Sequence, residues 1–365
     1  VTVRYISIDL LRASAMVIMV IVHFCENLAG YTPLIAGLGA PMFMFLSGVS
    51  YRLWLNGQLK RDRNETEITK ISVRRGLFLF ALGFAFNILV WSPEDAFNWD
   101  ILTLIGTGLI VLSFSRNLPL PVMLIFVACI SLIAPISARL ADWPAFWTEG
   151  HFDPDPTYSD VLLGFIATGY FPIIPWIAFP VLGFATATLL FNLTPSRDLS
   201  FNLQHAANFS KTGLSLMAIS LILIGSRYVA PSEWLKDLPE TWTMFPPSLE
   251  YLLAIMGFTL FAFVNLFRWI DHAPKDHRKL QNLVGSFSKY SLSFYLLHHI
   301  AHLWPLWIYG VIWGEHPHDY WEKATSVPVA LALAGVFLVA SFIFFRFVER
   351  YKWPTAEALM RWLCD

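Results

Sequence analysis

Apolar residues run through this chain in long blocks parted by short polar segments. The blocks lie near 6–27, 33–54, 74–92, 100–115, 119–138, 160–192, 212–230, 248–267, 284–306 and 326–347. Most approach or exceed the ~20 residues that carry an α-helix across a bilayer. The pattern predicts an all-α, polytopic membrane helix bundle of about ten to eleven transmembrane helices, with 1–365 forming a single membrane domain. Block 160–192 is too long for one upright span and contains "YFPIIPW", whose prolines break or kink a helix. A short interfacial helix followed by a true span is expected there. The run "LWPLWIYGVIW" (303–313) reads as a further half-span or as a belt of interfacial tryptophans.

Composition sharpens this picture. The chain is 56% hydrophobic and 14% charged, against about 25% charged in soluble domains. Its net charge of −1, with basic residues scattered among short loops and no basic arm, argues against nucleic acid as a partner. Cys25, Cys129 and Cys364 lie in or beside apolar stretches, so no disulfide framework is implied. The first block carries Asp9 and Arg12 and precedes many other spans, so it reads as a span and not as a signal peptide.

Charge also sets an expected orientation. Lys and Arg gather in "LNGQLKRDRNETEITKISVRRG", in "RWIDHAPKDHRKLQN" and in the tail from Arg346. With ten spans these share one side with the N-terminus, Arg116 and Arg197, while the opposite loops hold Arg139, Arg227, Lys236 and Lys323. The bias of basic residues toward the cytoplasm then places both termini inside. The Asn-x-Ser/Thr sequons at Asn64, Asn192 and Asn208 fall on that side too, which argues against glycosylation. The opposite loops are acidic and tryptophan-rich. That mixture suits sugar binding by stacking and hydrogen bonding, and equally suits an ordinary aromatic membrane belt.

The first block also carries a polar stripe. At 100° per residue, Arg12 and His23 differ by only ~20° around a helix, Asp9 and His23 by about 40°, and Glu26 and His23 by about 60°. Along the axis Arg12 and His23 stand ~16 Å apart, about half the ~30 Å hydrocarbon thickness. Ionisable groups at such depth are costly unless paired or hydrated, and by default they mark function. Bland alternatives stand beside this: an Asp9–Arg12 i,i+3 salt bridge, an interfacial His23 bonded to a carbonyl, and a solvated Glu26. His298 and His302, four apart on one helical face, have zinc spacing but no third ligand or "HExxH" pattern, so no metal is expected.

The segment "SIDLLRASAMVIMVIVH" resembles the first helix of membrane acyltransferases, which share an Arg, ten residues and a His, here Arg12 and His23. Together with "GAPMFMFLSGVSYRLW", "NWDILTLIG", "YFPIIPWIAFPVLGF" and "YSLSFYLLHH", in that order, it is similar to the heparan-alpha-glucosaminide N-acetyltransferase family and its bacterial relatives. Ala13 stands where relatives usually have glycine and keeps that position small. No counterpart of the animal enzyme's large lumenal domain is expected within these residues, which leaves the acceptor open.

The resemblance implies transfer of an acetyl or short acyl group from cytoplasmic acetyl-CoA, as co-substrate, to an amine or hydroxyl of a sugar or glycolipid acceptor outside a bacterial inner membrane. His23 would then be the base, or a transiently acylated group, and Glu26 or Asp100 would orient its ring. His298 would orient the acceptor or support an oxyanion, with packing or hydrogen bonding to Tyr295 as its bland alternative. The expected donor-binding set is Arg12, Ser47, Arg52, Arg74, Arg75 and Trp176. Guanidinium groups suit phosphates, although the positive-inside bias would supply arginines there anyway. Ser47 and Gly48 are small enough to let helices approach or to line a channel, and Pro175 and Trp176 interrupt a helix at membrane depth, which goes with a cavity. Membrane lipids are expected around the bundle, and a homodimer is left open. The competing reading is a proton-coupled small-molecule transporter whose path is the stripe. A non-catalytic membrane scaffold is the third.

Overall fold

A computed structural model describes residues 4–91, 93–193, 199–230, 241–272, 277–314 and 316–365. Arg197 and Lys236, used above for orientation, lie outside the described residues, as does Thr194 of the Asn192 sequon. The long helices are α1 (Ile6–Ala29), α2 (Gly39–Lys60), α3 (Glu65–Phe86), α4 (Ile101–Ser115) and α5 (Leu120–Leu140). Two short helices, α6 (Tyr158–Leu163) and α7 (Ile173–Trp176), lead into α8 (Ala178–Leu190). The remainder are α9 (Leu203–Arg227), α10 (Leu249–Leu266), α11 (Arg278–Lys289), α12 (Ser291–Trp313), α13 (Val327–Tyr351) and α14 (Ala356–Cys364). Among the described residues, strand is confined to two small antiparallel hairpins, Trp147–Thr148 with His151–Phe152 and Phe191–Leu193 with Leu199–Phe201. Among the described residues, eight helical stretches are long and apolar enough to cross a membrane. The chain is therefore an all-α bundle of an integral membrane protein. Helices α2 and α12 lie outside those eight but have 22 and 23 residues, ~33–35 Å at 1.5 Å per residue.

Glycines let the bundle close. Gly48 of α2 faces α8, and a methyl at that position would overlap the carbonyl oxygen of Pro180; one at Gly183 of α8 would overlap that of Phe45. Two more pairs repeat the device. A Cβ at Gly76 of α3 would stand 2.7 Å from Gly106 O of α4, and one at Gly213 of α9 would stand 2.7 Å from Gly257 O of α10. Lipid is as apolar as leucine, so close backbone approach is a principal source of helix association in a membrane. Gly48 accordingly serves helix packing, while its neighbour Ser47 faces a cavity and bonds back to Met44 O at 2.6 Å.

The 160–192 block breaks as its prolines predict. Helix α6 runs through a π-turn, Gly164–Thr168, and Ile174 is non-helical (φ −93°, ψ 119°) before α8 begins. Two expectations are corrected. Tyr290 divides the 284–306 block into amphipathic α11 and membrane-length α12, and α12 continues through Pro305 to Trp313, so 303–313 is no separate half-span. The start of α12 is fixed by Glu357 of α14. Its carboxylate accepts from Leu292 N (2.8 Å), Ser293 N (2.9 Å) and Ser293 Oγ (2.8 Å), satisfying amides that the first turn leaves free. The three cysteines are free.

Candidate active site

Helices α1, α2, α3, α4 and α12 surround a cavity of ≈ 1350 Å³, which follows α1 from Arg12 to Gly30. That stretch is ~27 Å long, close to the hydrocarbon thickness of a bilayer. Helical periodicity therefore aligned Arg12, His23 and Glu26 along one wall. The two ends differ in charge. Arg12, Arg75 and Lys289 stand at one, with Ser47, Ser50 and Trp54. At the other stand Glu26, Asp95, Glu149, Asp153 and Glu322, with Trp91 and Trp321 close by.

Arg12 is fixed between helices. It donates to Ser50 Oγ at 2.5 Å and to Ser288 Oγ at 2.9 Å. The i,i+3 bridge to Asp9 does not form, because Asp9 accepts from Arg4 Nε at 2.5 Å. Arg75 lies over the Trp54 ring (5.1 Å) and meets the Asp365 carboxylate through Nε at 2.8 Å and a second nitrogen at 2.5 Å.

At the middle of the cavity His23 Nδ1 meets His298 Nε2 at 2.9 Å. Chemistry assigns the protons. The Tyr295 carbonyl lies 2.5 Å from His298 Nδ1 and can only accept, so His298 carries its proton on Nδ1. With a neutral ring, His298 Nε2 is then a lone pair, and His23 Nδ1–H donates to it. His23 is left with a free lone pair on Nε2. His298 is fully buried and stands behind His23, away from the cavity wall. Its role in this geometry is to hold a tautomer.

The other expected positions divide. Asp100 lines the cavity but does not touch His23. It accepts from Tyr295 Oη at 2.8 Å to each oxygen and caps α4 through Leu102 N (3.2 Å). Glu26 lines the cavity, yet the bond that orients His23 goes to His298. In this geometry the group bonded to His23 Nδ1 comes from the neighbouring helix and from neither acid. Three residues of the expected donor set do not line this cavity. Arg52 lies over Phe184 (5.6 Å), Arg74 is exposed, and Trp176 is wholly buried against Phe171 and Phe179.

The zinc-spaced pair His298 and His302 is also resolved. His302 Nδ1 donates to His298 O (2.6 Å), so its Nε2 accepts from Asn27 Nδ2 (2.8 Å). His299, which sequence reasoning passed over, is the histidine of α12 that lines the cavity next to His23, with ring centroids 4.5 Å apart. The adjacent pair "HH" was its visible signal. Ser50 and Ser288 were missed as well, since their partner Arg12 lies on another helix, whereas Tyr295, named as a neighbour of His298, does bond it through its carbonyl.

Comparison with known proteins fits this arrangement. No curated protein matches the chain. A family model described as heparan-alpha-glucosaminide N-acetyltransferase, catalytic, matches residues 4–224, which include His23, Glu26, Asp100 and the basic cavity end on α1 to α3. The chain belongs to the heparan-alpha-glucosaminide N-acetyltransferase family of membrane acetyltransferases.

Proposed function

We propose that this protein moves an acetyl group from cytoplasmic acetyl-CoA to an amine or hydroxyl of a sugar or glycoconjugate on the outer side of a bacterial inner membrane. The observation that carries the reading is the histidine pair. The Tyr295 carbonyl, His298 and His23 form a hydrogen-bonded relay that leaves His23 Nε2 free in a cavity about as long as a bilayer is thick. Such a nitrogen can take the proton of the attacking amine or hydroxyl while the thioester carbon is attacked. The new acyl–N or acyl–O bond forms as the C–S bond breaks, and the CoA thiolate leaves and takes up the proton.

The charge asymmetry supports the direction of transfer. Arg12, Arg75 and Lys289 suit the phosphates of the donor. Acids and tryptophans at the other end suit a sugar that carries an amine or several hydroxyls. In the topology with ten spans, α2 and α12 cross alongside the eight apolar stretches, and residues 1–365 act as one domain with both termini cytoplasmic. The basic end then faces the cytoplasm and the acidic end faces out.

The test is release of CoA thiol by purified protein given acetyl-CoA and a panel of amino sugars and lipid-linked sugars. Acceptor-dependent release, abolished by His23→Ala in a folded protein, is expected. Turnover that survives His23→Ala refutes the role of His23. Donor binding without release for any acceptor refutes the acceptor class, and absence of donor binding favours a transporter.

A further inference from the structure

Three imidazoles meet where the proposed relay uses two. The ligating nitrogens of His23, His298 and His299 all lie within 4.8 Å of one another. Their ring centroids stand 4.0 Å apart for His298 and His299, 4.5 Å for His23 and His299, and 5.2 Å for His23 and His298. His299 is 2% exposed, and its Nδ1 has no hydrogen-bond partner. A buried unpaired nitrogen has lost its water without a replacement partner, a cost that a ligand at this point would relieve.

We propose that His23, His298 and His299 form a binding site for a divalent transition-metal cation of the zinc class. Three neutral imidazoles with a fourth position open to the cavity are a donor set that zinc, copper and nickel accept. Zn–N bonds of about 2.0–2.1 Å in a tetrahedral site bring such nitrogens to roughly 3.3 Å apart. The His23–His298 pair, at 2.9 Å, needs slight opening, and His299 needs to swing inward by side-chain rotation. The hydrogen-bonded pair gives up its internal bond in exchange for two metal bonds, and the His23 proton moves to the outward nitrogen or leaves. His302 stays out of the site because both of its nitrogens are engaged, by His298 O and by Asn27.

A route for the cation is present. Glu26, Asp95, Asp153 and Glu322 line the same cavity toward one mouth, and acidic walls raise the local concentration of cations. With the metal on His23 Nδ1, the displaced proton occupies Nε2, the nitrogen that makes His23 a base, so occupancy and proton transfer exclude each other. The binding itself does not depend on the proposed reaction.

The test uses the purified full chain in detergent, titrated with Co²⁺ alone. One tetrahedral Co²⁺ per chain, seen by its visible d–d absorption and displaced by Zn²⁺, is expected. His299→Gln and His298→Gln should each weaken binding at least tenfold, while His151→Gln, at the acidic mouth, should leave it unchanged. If the variants fold poorly, X-ray absorption of the Zn²⁺-loaded wild type decides. Three imidazole ligands support the site, and fewer nitrogens or a sulfur ligand overturn it. Absence of the Co²⁺ spectrum in the wild type, or a spectrum unaltered by both folded variants, also overturns it.

Discussion

Replacing His298 by leucine tests the relay most directly. Leucine fills a similar volume in a fully buried position but offers no acceptor to His23 Nδ1–H. The 2.9 Å bond contributes about 0.5–1.5 kcal/mol net to the correct tautomer, or roughly two- to thirteenfold in the competent population. Loss of ring orientation adds to this. The ceiling is the whole value of a general base, about 10²–10⁴-fold. We therefore expect the turnover number to fall about 10–100-fold, with the KM for acetyl-CoA nearly unchanged, because His298 lies away from the basic end of the cavity. His23→Ala should cost more. In the His23→Ala background, His298→Leu should cost nothing further, since its effect passes through His23. The assay is CoA thiol release at saturating donor, with thermal unfolding as a check on folding. A folded His298→Leu enzyme with turnover within threefold of wild type would refute the tautomer argument. So would a full additional loss in the double variant.

Other consequences can be measured alongside. Gly48→Ala should lower the unfolding temperature by an amount equivalent to about 1–3 kcal/mol or more, because the methyl meets the Pro180 carbonyl. Gly57→Ala, with nothing within 4 Å, should be neutral or stabilising, and equal behaviour of the two would contradict the packing account. Arg75→Ala should raise the acetyl-CoA Kd about 10–100-fold through loss of a charged hydrogen bond, whereas Arg52→Lys should leave it unchanged; calorimetry with a non-hydrolysable donor separates them. Glu357→Ala strips the amides of the first turn of α12 of their acceptor and should destabilise the protein by about 1–3 kcal/mol in detergent melts. Zn²⁺ should inhibit CoA release, and His299→Gln should relieve that inhibition. Undiminished inhibition of the variant would separate the metal from the histidine cluster.

Much of the bundle was legible because apolar block length is set by bilayer thickness. Arg12, His23 and Glu26 were legible because a single helix fixes their azimuths, and all three line the cavity. What the sequence withheld was the partner across each gap. Asp9 turned to Arg4 and Arg12 to Ser50 and Ser288, choices made by the packing of α1 against α2 and α11. Three cationic or aromatic residues chosen for a donor site, Arg52, Arg74 and Trp176, satisfied chemistry but not direction. On α3, one step of 100° sends Arg74 out and Arg75 in. His299 was overlooked since attention to i,i+4 spacing favours one face, and the cavity lies on another. The half-span reading of 303–313 fails because α12 runs on through Pro305 to Trp313.

The glycine contacts between helices also order events during synthesis. Helices α3 and α4 are neighbours in sequence, as are α9 and α10, so each of these pairs can close as soon as its second member emerges. Helix α2 finds its glycine-matched partner only in α8, after five other helices have been made. At about 5–20 residues per second the wait is on the order of ten seconds. Throughout it, α2 holds the notch at Gly48 without a permanent neighbour on that side. A nascent chain stalled before α8 would therefore expose an incompletely packed helix to the lipid. Early α2 is the segment that an insertion chaperone or a membrane quality-control protease would meet first.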